Sequence, residues 1–134
     1  MLIRIAELKD FDLIKQYDKH IPETELTNAL KLGRIIIAEA NNDFIGWLRY
    51  NYFWDNTPFM NMLYVLDKYR NKGYGKALVE YWEEKMRRLG FDSVLTSTPS
   101  NESSQHFYNK LGYKTIGGFL MSNEPYELIL AKEL

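Results

Sequence analysis

Apolar and polar positions alternate along this chain in two rhythms, and the switches between them mark its elements. Leu2 to Ala6 is a short strand-like run. Asp10 is placed to cap a helix reaching about His20, with Phe11, Leu13, Ile14 and Tyr17 as its apolar face. Pro22 suits the first turn of a second helix, which Gly33 ends. "RIIIAEA" is β-branched and strand-like, "NND" is a turn, and Phe44 to Trp54 pairs back as a hairpin. A further strand covers Phe59 to Leu66. Helical spacing then returns over Gly75 to Leu89, where Leu78, Tyr81, Trp82, Met86 and Leu89 recur, Arg87 and Arg88 complement the dipole, and Gly90 stops the helix. "FDSVLTST" is a strand. "SNESSQHFYNKLG" is a helix with Asn101 as a candidate N-cap and Gly112 as its stop. "YKTIGGFLM" and "YELILAKEL" are the last strands. The order β-α-α-β-β-β-α-β-α-β-β mixes hairpins with crossovers, which predicts a mixed sheet in an α/β or α+β fold.

At 134 residues, 46% hydrophobic and 26% charged, the chain suits a single packed domain over residues 1–134. A net charge of −1 argues against nucleic acid as a partner. Ten tyrosines make rings the expected material of core and pocket walls. There is no cysteine, and the two histidines, His20 and His106, are far apart, so neither a thiol nucleophile nor a metal site is expected. "MLIRIAELKD" has no long apolar run, so the expected compartment is the cytoplasm, without a membrane partner.

The stretch "YRNKGYGKALVEY" carries the chemistry. The leading N–H groups of a helix have no intrahelical partner, and the dipole makes that end positive. Here the first acid after the glycines is Glu80, while Arg70, Lys72 and Lys76 surround the turn and Gly73 and Gly75 remove Cβ atoms. That arrangement suits an external phosphate. Taken alone, it also reads as a flexible turn with solvated lysines. Leu78 stands where a dinucleotide fingerprint needs its third glycine, and the P-loop spacing is absent; the pattern is R-x-x-G-x-G between a strand and a helix.

"MLYVLDKYRNKGYGKALVEYWEEKMRRLGF" resembles the acetyl-CoA-binding core of the GNAT superfamily of N-acetyltransferases. "SNESSQHFYNKLGYKTIGGF" resembles the motif that follows it there, an Asn seven residues before a Tyr, then Leu-Gly and an aromatic. "YELILAKEL" is similar to the closing strand. Together the two central motifs cover roughly Phe59 to Phe119.

The resemblance implies acetyl-CoA as cosubstrate and a GNAT-like, mostly antiparallel sheet. The diphosphate would lie on the turn Arg70, Asn71, Lys72, Gly73, Tyr74, Gly75 and Lys76. The pantetheine arm would follow the backbone of Leu63 and Val65, where an N–H can polarise the thioester carbonyl. Asn101 would contact pantetheine or, in the plainer reading, cap its helix. Tyr108 would act as general acid toward the leaving thiolate, or else is a buried helix tyrosine. The acceptor would be the amine of a small molecule or peptide, and a second copy of the chain is a further implied partner. Relatives place a Glu on the strand before the turn; "FMNMLYV" offers Asn61 instead, so Asp55 and Glu124 are the candidate bases. His20 and His106 read as structural or exposed. Trp47, Arg49, Asn51 and Phe53 share one strand face, where Arg49 and Asn51 are candidates for an acceptor groove. Two other readings stay open: an acyl-CoA-binding module without turnover, and a turn serving a different phosphate compound.

Overall fold

The computed structural model describes residues 1–134. Its strands are β1 Leu2–Ile5, β2 Ile35–Ala40, β3 Asp43–Phe53, β4 Thr57–Val65, β5 Ser93–Pro99, β6 Lys114–Phe119 and β7 Glu127–Glu133. Its helices are α1 Phe11–Tyr17, α2 Glu23–Lys31, α3 Tyr74–Arg88 and α4 Ser104–Lys110, with short 3-10 turns at Leu8–Asp10 and Asp67–Tyr69. The strands form one sheet in the order β1-β2-β3-β4-β5-β7-β6. It is mostly antiparallel; β4 and β5 run parallel, with Phe59 opposite Leu95 and Met60 opposite Thr96. The mixed class and element order read from the sequence therefore hold.

The chain divides into two compact units, Met1–Asn51 with Met62–Trp82, and Tyr52–Asn61 with Glu83–Leu134. In the first, β2 is apolar on both faces, as a strand covered on both sides must be. Ile35 and Ile37 join Ala6, Ile14, Leu26, Leu30 and Trp47 in one cluster with α1 and α2. The pleat turns Ile36 the other way, opposite Leu48. Tyr50, on the same face of β3, meets the Trp82 ring of α3 with centroids 5.8 Å apart. Asn41 and Asn42 both take positive φ, which gives the two-residue turn the hairpin needs.

The first helix differs from the sequence expectation. It stops at Tyr17, three residues short of His20, and Asp10 makes no side-chain cap on it. The Asp10 carboxylate instead accepts the Glu7 N–H at 2.8 Å and two Arg4 N–H bonds at 2.8 and 2.9 Å. Asp18, which ends the helix, is wholly buried and accepts from Trp47 Nε1 at 3.1 Å and Arg49 Nε at 2.9 Å. A carboxylate with that pull on β3 turns the chain out of the helix.

In the second unit, Val94, Thr96 and Thr98 face inward from β5. Glu83 is buried and accepts from Tyr113 Oη at 2.8 Å and Lys132 Nζ at 3.0 Å. Burial, and then the Glu83 charge, push the Tyr113 phenol well above the usual tyrosine range.

Candidate functional site

The turn Arg70 to Lys76 lies in the first unit and keeps the geometry that its sequence requires. Asn71 and Gly73 take positive φ, +61° and +87°, which lets the chain leave the 3-10 turn and enter α3 with only Arg70 to Gly73 between them. The first intrahelical bond runs from Ala77 N to Gly73 O at 3.0 Å. Gly73 is thus the N-cap, and the N–H groups of Tyr74, Gly75 and Lys76 have no protein acceptor. No acid stands in this first turn, whereas Lys85, Arg87 and Arg88 stand in the last. A Cβ built on Gly73 would meet nothing within 4 Å, so the approach to these donors is open. Lys72 and Lys76 are exposed at the mouth. An anion here meets three free backbone donors, the dipole and two exposed cations.

Arg70 is held differently. Its Nε donates to the Val65 carbonyl at 2.9 Å, its Nη1 lies 3.1 Å from Asp67, and its guanidinium sits 4.8 Å from the Tyr64 ring centroid. It ties the end of β4 to the turn, and the Val65 carbonyl is already an acceptor. Leu63 and Val65 are half-buried on β4.

Asn101 and Tyr108 lie in the second unit. Asn101 does not cap α4: that position falls to Ser103, whose side chain makes no cap bond, and Asn101 is exposed in the preceding turn. Its side chain is left available, unlike that of Gln105, which donates to the Ser100 and Glu102 carbonyls. Tyr108 is buried, its ring edge-on to Tyr113 at 5.6 Å. Burial pushes its phenol up to about 12, with a hydrogen bond to Thr96 pulling partly back. Thr96 Oγ1 itself donates to the Met60 carbonyl at 3.0 Å, so its lone pairs remain to accept from the phenol. Tyr113 and Thr96, which touch Tyr108, and Glu83, which holds Tyr113, escaped sequence reasoning; the alternation Val94, Thr96, Thr98 was the visible sign that two threonines faced inward.

Sequence reasoning also missed a cleft of about 300 Å³ in the first unit. Tyr17, Trp47 and Tyr64 line it with Met62 and Leu66, and Gln16 and His20 supply its polar edge. Ring centroids lie 6.3 Å apart for Tyr17–Trp47 and 5.4 Å for Trp47–Tyr64. Arg49, a candidate for an acceptor groove, is committed to Asp18 rather than to open space. Asp55 is exposed at positive φ in the turn between β3 and β4, and Glu124 is exposed in the connection between β6 and β7. Neither lines the cleft.

Comparison with known proteins agrees with this geometry. The acetyltransferase (GNAT) family matches residues 3–113, and the chain belongs to that family. Over 89 residues it is 30% identical to the D-amino-acid N-acetyltransferase HPA3 of Saccharomyces cerevisiae, a match covering 62% of this chain and 55% of the yeast protein. The chain thus spans about half the length of that relative. Its fold is similar to that of Ard1 from Thermoplasma volcanium, with a TM-score of 0.85 and 13% identity over 99% of this chain and 97% of that one. The PaiA N-acetyltransferase of Thermoplasma acidophilum, solved in complex with coenzyme A, superposes with a TM-score of 0.80 at 19% identity over 99% and 98%.

Proposed function

We propose that the chain is an acetyl-CoA-dependent N-acetyltransferase acting on a primary amine by direct attack. The observation that carries this is the beginning of α3: three backbone donors without acceptors, open approach at Gly73, and lysines where acids belong, in a chain of the GNAT family. The N–H groups of Tyr74, Gly75 and Lys76 would hold the diphosphate of the cosubstrate, with Lys72 and Lys76 adding charge. The backbone of Leu63 and Val65 would orient its arm, through N–H groups rather than through the Val65 carbonyl that Arg70 already uses. By the resemblance to the family, the side chain of Asn101 would contact the pantetheine arm.

The reaction forms a bond from the amine nitrogen to the acetyl carbonyl carbon and breaks the C–S bond, whose electron pair leaves on sulfur. Starting from the ammonium, the nitrogen gives up two protons, one before attack to expose its lone pair and one after the C–N bond forms; one of them ends on the departing sulfur and the other passes to a base or to solvent. An amine with a pKa of about 10.4 is neutral only about once in several hundred to a few thousand molecules near pH 7, so proton removal must precede attack. With no cysteine in the chain, no thioester to the enzyme intervenes. Tyr108 would face the departing sulfur. At about 12 its phenol is a far weaker acid than a thiol of about 8.5. It therefore steadies the sulfur charge by hydrogen bonding and does not surrender its proton outright.

The test is acetyl-CoA-dependent thiol release with a panel of amines, beside thermal shifts with CoA, ATP and NAD. Stabilisation by acetyl-CoA and CoA alone is expected, and Tyr108→Phe should lower kcat by about a hundredfold. Equal stabilisation by ATP would overturn the donor assignment. Undiminished turnover in Tyr108→Phe would remove the tyrosine from its role.

A further inference from the structure

We infer that the cleft of Tyr17, Trp47 and Tyr64 selects as acceptor an arylalkylamine, a compound with one flat aromatic body, a short chain and no charge beyond its amine. This rests on the acetyltransferase reading and names the substrate class of that site. The cleft borders β4, whose pleat sends Met62 and Tyr64 to one side, in alternation with Leu63 and Val65. Trp47 is buried, while Tyr17 and Tyr64 are 36% and 39% exposed, a large apolar exposure for rings lining one cavity. A volume near 300 Å³ is at the small end for ligand sites and admits one ring with a short chain.

The charges argue as strongly as the rings. No carboxylate lines the cleft. Asp18, which touches the lining residue Trp47, is 0% exposed at its side chain and is committed to Arg49, Trp47 and the His20 N–H, so it offers a polyamine's second ammonium no partner. No free guanidinium or ammonium lines it either: Arg49 faces Asp18 and Arg70 sits on Tyr64, so an amino acid's carboxylate has none. Ring faces can attract an ammonium, but an acceptor held by its ammonium would be held in its unreactive form. The rings accordingly take the substrate's body and leave the amine free. His20, with an imidazole at the cleft's edge, is the lining side chain best suited to receive the amine's proton.

The experiment compares 2-phenylethylamine and tryptamine with n-hexylamine, spermidine and D-phenylalanine in the acetyl-transfer assay, with acetyl-CoA affinity measured separately by calorimetry. Arylalkylamines should lead each of the others in kcat/KM by about tenfold or more. Tyr17→Ala, and Tyr17→Leu as a variant that keeps apolar bulk, should raise KM for 2-phenylethylamine about tenfold, change n-hexylamine by less than about threefold and leave acetyl-CoA affinity unaltered. Spermidine or D-phenylalanine in the lead would overturn the inference. So would equal losses for ringed and ringless amines, or acetyl-CoA binding with none of these amines acetylated. Failure to bind acetyl-CoA at all would instead remove the proposed function beneath it.

Discussion

The chain enters α1 and α3 through turns of opposite character. Before α1, the protein satisfies itself: Asp10 accepts the Glu7 N–H and grips Arg4, and Arg4 also reaches Glu39 on β2. Before α3, Arg70 is tied to Asp67 and to the Val65 carbonyl, but nothing in the protein reaches the first amides of the helix. Three amides stand bare, the first turn carries Lys76 and no acid, and a left-handed glycine leaves the approach clear. Both are short entries in the same unit, so chain length or exposure alone does not explain the difference. A helix end of the first kind contributes to folding; one of the second kind is less stable than it could be, and a ligand restores what was omitted. The comparison can be broken at either end.

The largest effect is expected at the closed end. Asp10→Ala leaves Arg4 and the Glu7 N–H without their shared acceptor and should lower stability by about 2–3 kcal/mol in a denaturant titration, with acetyl-CoA affinity of the folded protein unchanged. The hydrogen bond from Arg4 holds the Asp10 carboxyl below its usual range, against the opposing effect of burial. A depressed carboxyl contributes stability that is fully present above its unfolded pKa of about 3.9 and is lost as pH falls through the lower folded value. The wild type should therefore lose stability steeply below about pH 4, and Asp10→Asn should show a shallower acid limb. A variant as stable as the wild type, or one that binds acetyl-CoA more weakly, would erase the contrast.

At the open end a single substitution should move two quantities in opposite directions. Lys76→Glu puts an acid in the first turn of α3, where the dipole favours it, and should raise stability by about 0.5 kcal/mol. The same charge faces the proposed diphosphate, so acetyl-CoA should bind about tenfold more weakly or worse, with the loss shrinking at high salt. Higher melting temperature and weaker binding together are the signature of an end kept bare for a ligand. A fall in both would mean that Lys76 supports the fold.

Much of this contrast was legible in the sequence, and the reason is local. The missing acid, the two glycines and the lysines of the α3 turn are neighbours in the chain, so their reading needed no tertiary contact. The Asn41–Asn42 turn and the stops at Gly33, Gly90 and Gly112 were legible for the same reason, since their positive φ is written in residue type. What was hidden depends on partners distant in sequence. Asp10 looked like the cap of α1 because its bond to Arg4 requires β1 to lie beside it. Asp18 looked like one more polar position of a longer helix, because the donors that end that helix, Trp47 and Arg49, arrive 29 and 31 residues later. Leu89 looked like part of an apolar helix face and is 58% exposed. The aromatic cleft needed Tyr17 and Tyr64 to meet across Trp47, which no periodicity reveals. The turn proposed for the diphosphate was thus readable and the cleft proposed for the acceptor was not.

The smallest expected effect sharpens the comparison most, because it separates two reasons for a glycine at position 73. A φ of +87° is strained for a residue with Cβ, by about 1–2 kcal/mol, and a stiffer unfolded chain returns part of that. Gly73→Ala should therefore lose about 1 kcal/mol of stability, all of it conformational, since a Cβ would touch nothing in the protein. Asn tolerates positive φ far better than Ala, so Gly73→Asn should keep stability within about 0.5 kcal/mol of wild type. If glycine served only to make the turn, Asn would also restore acetyl-CoA binding. If the open space belongs to a diphosphate, both variants place atoms where the anion must approach, and both should bind about threefold to tenfold more weakly whatever their melting temperatures. Calorimetric titration of the two proteins with acetyl-CoA distinguishes the cases: affinity that follows stability makes α3 an ordinary helix with an awkward entry, and affinity that falls while Asn recovers stability keeps the turn as a seat for the ligand.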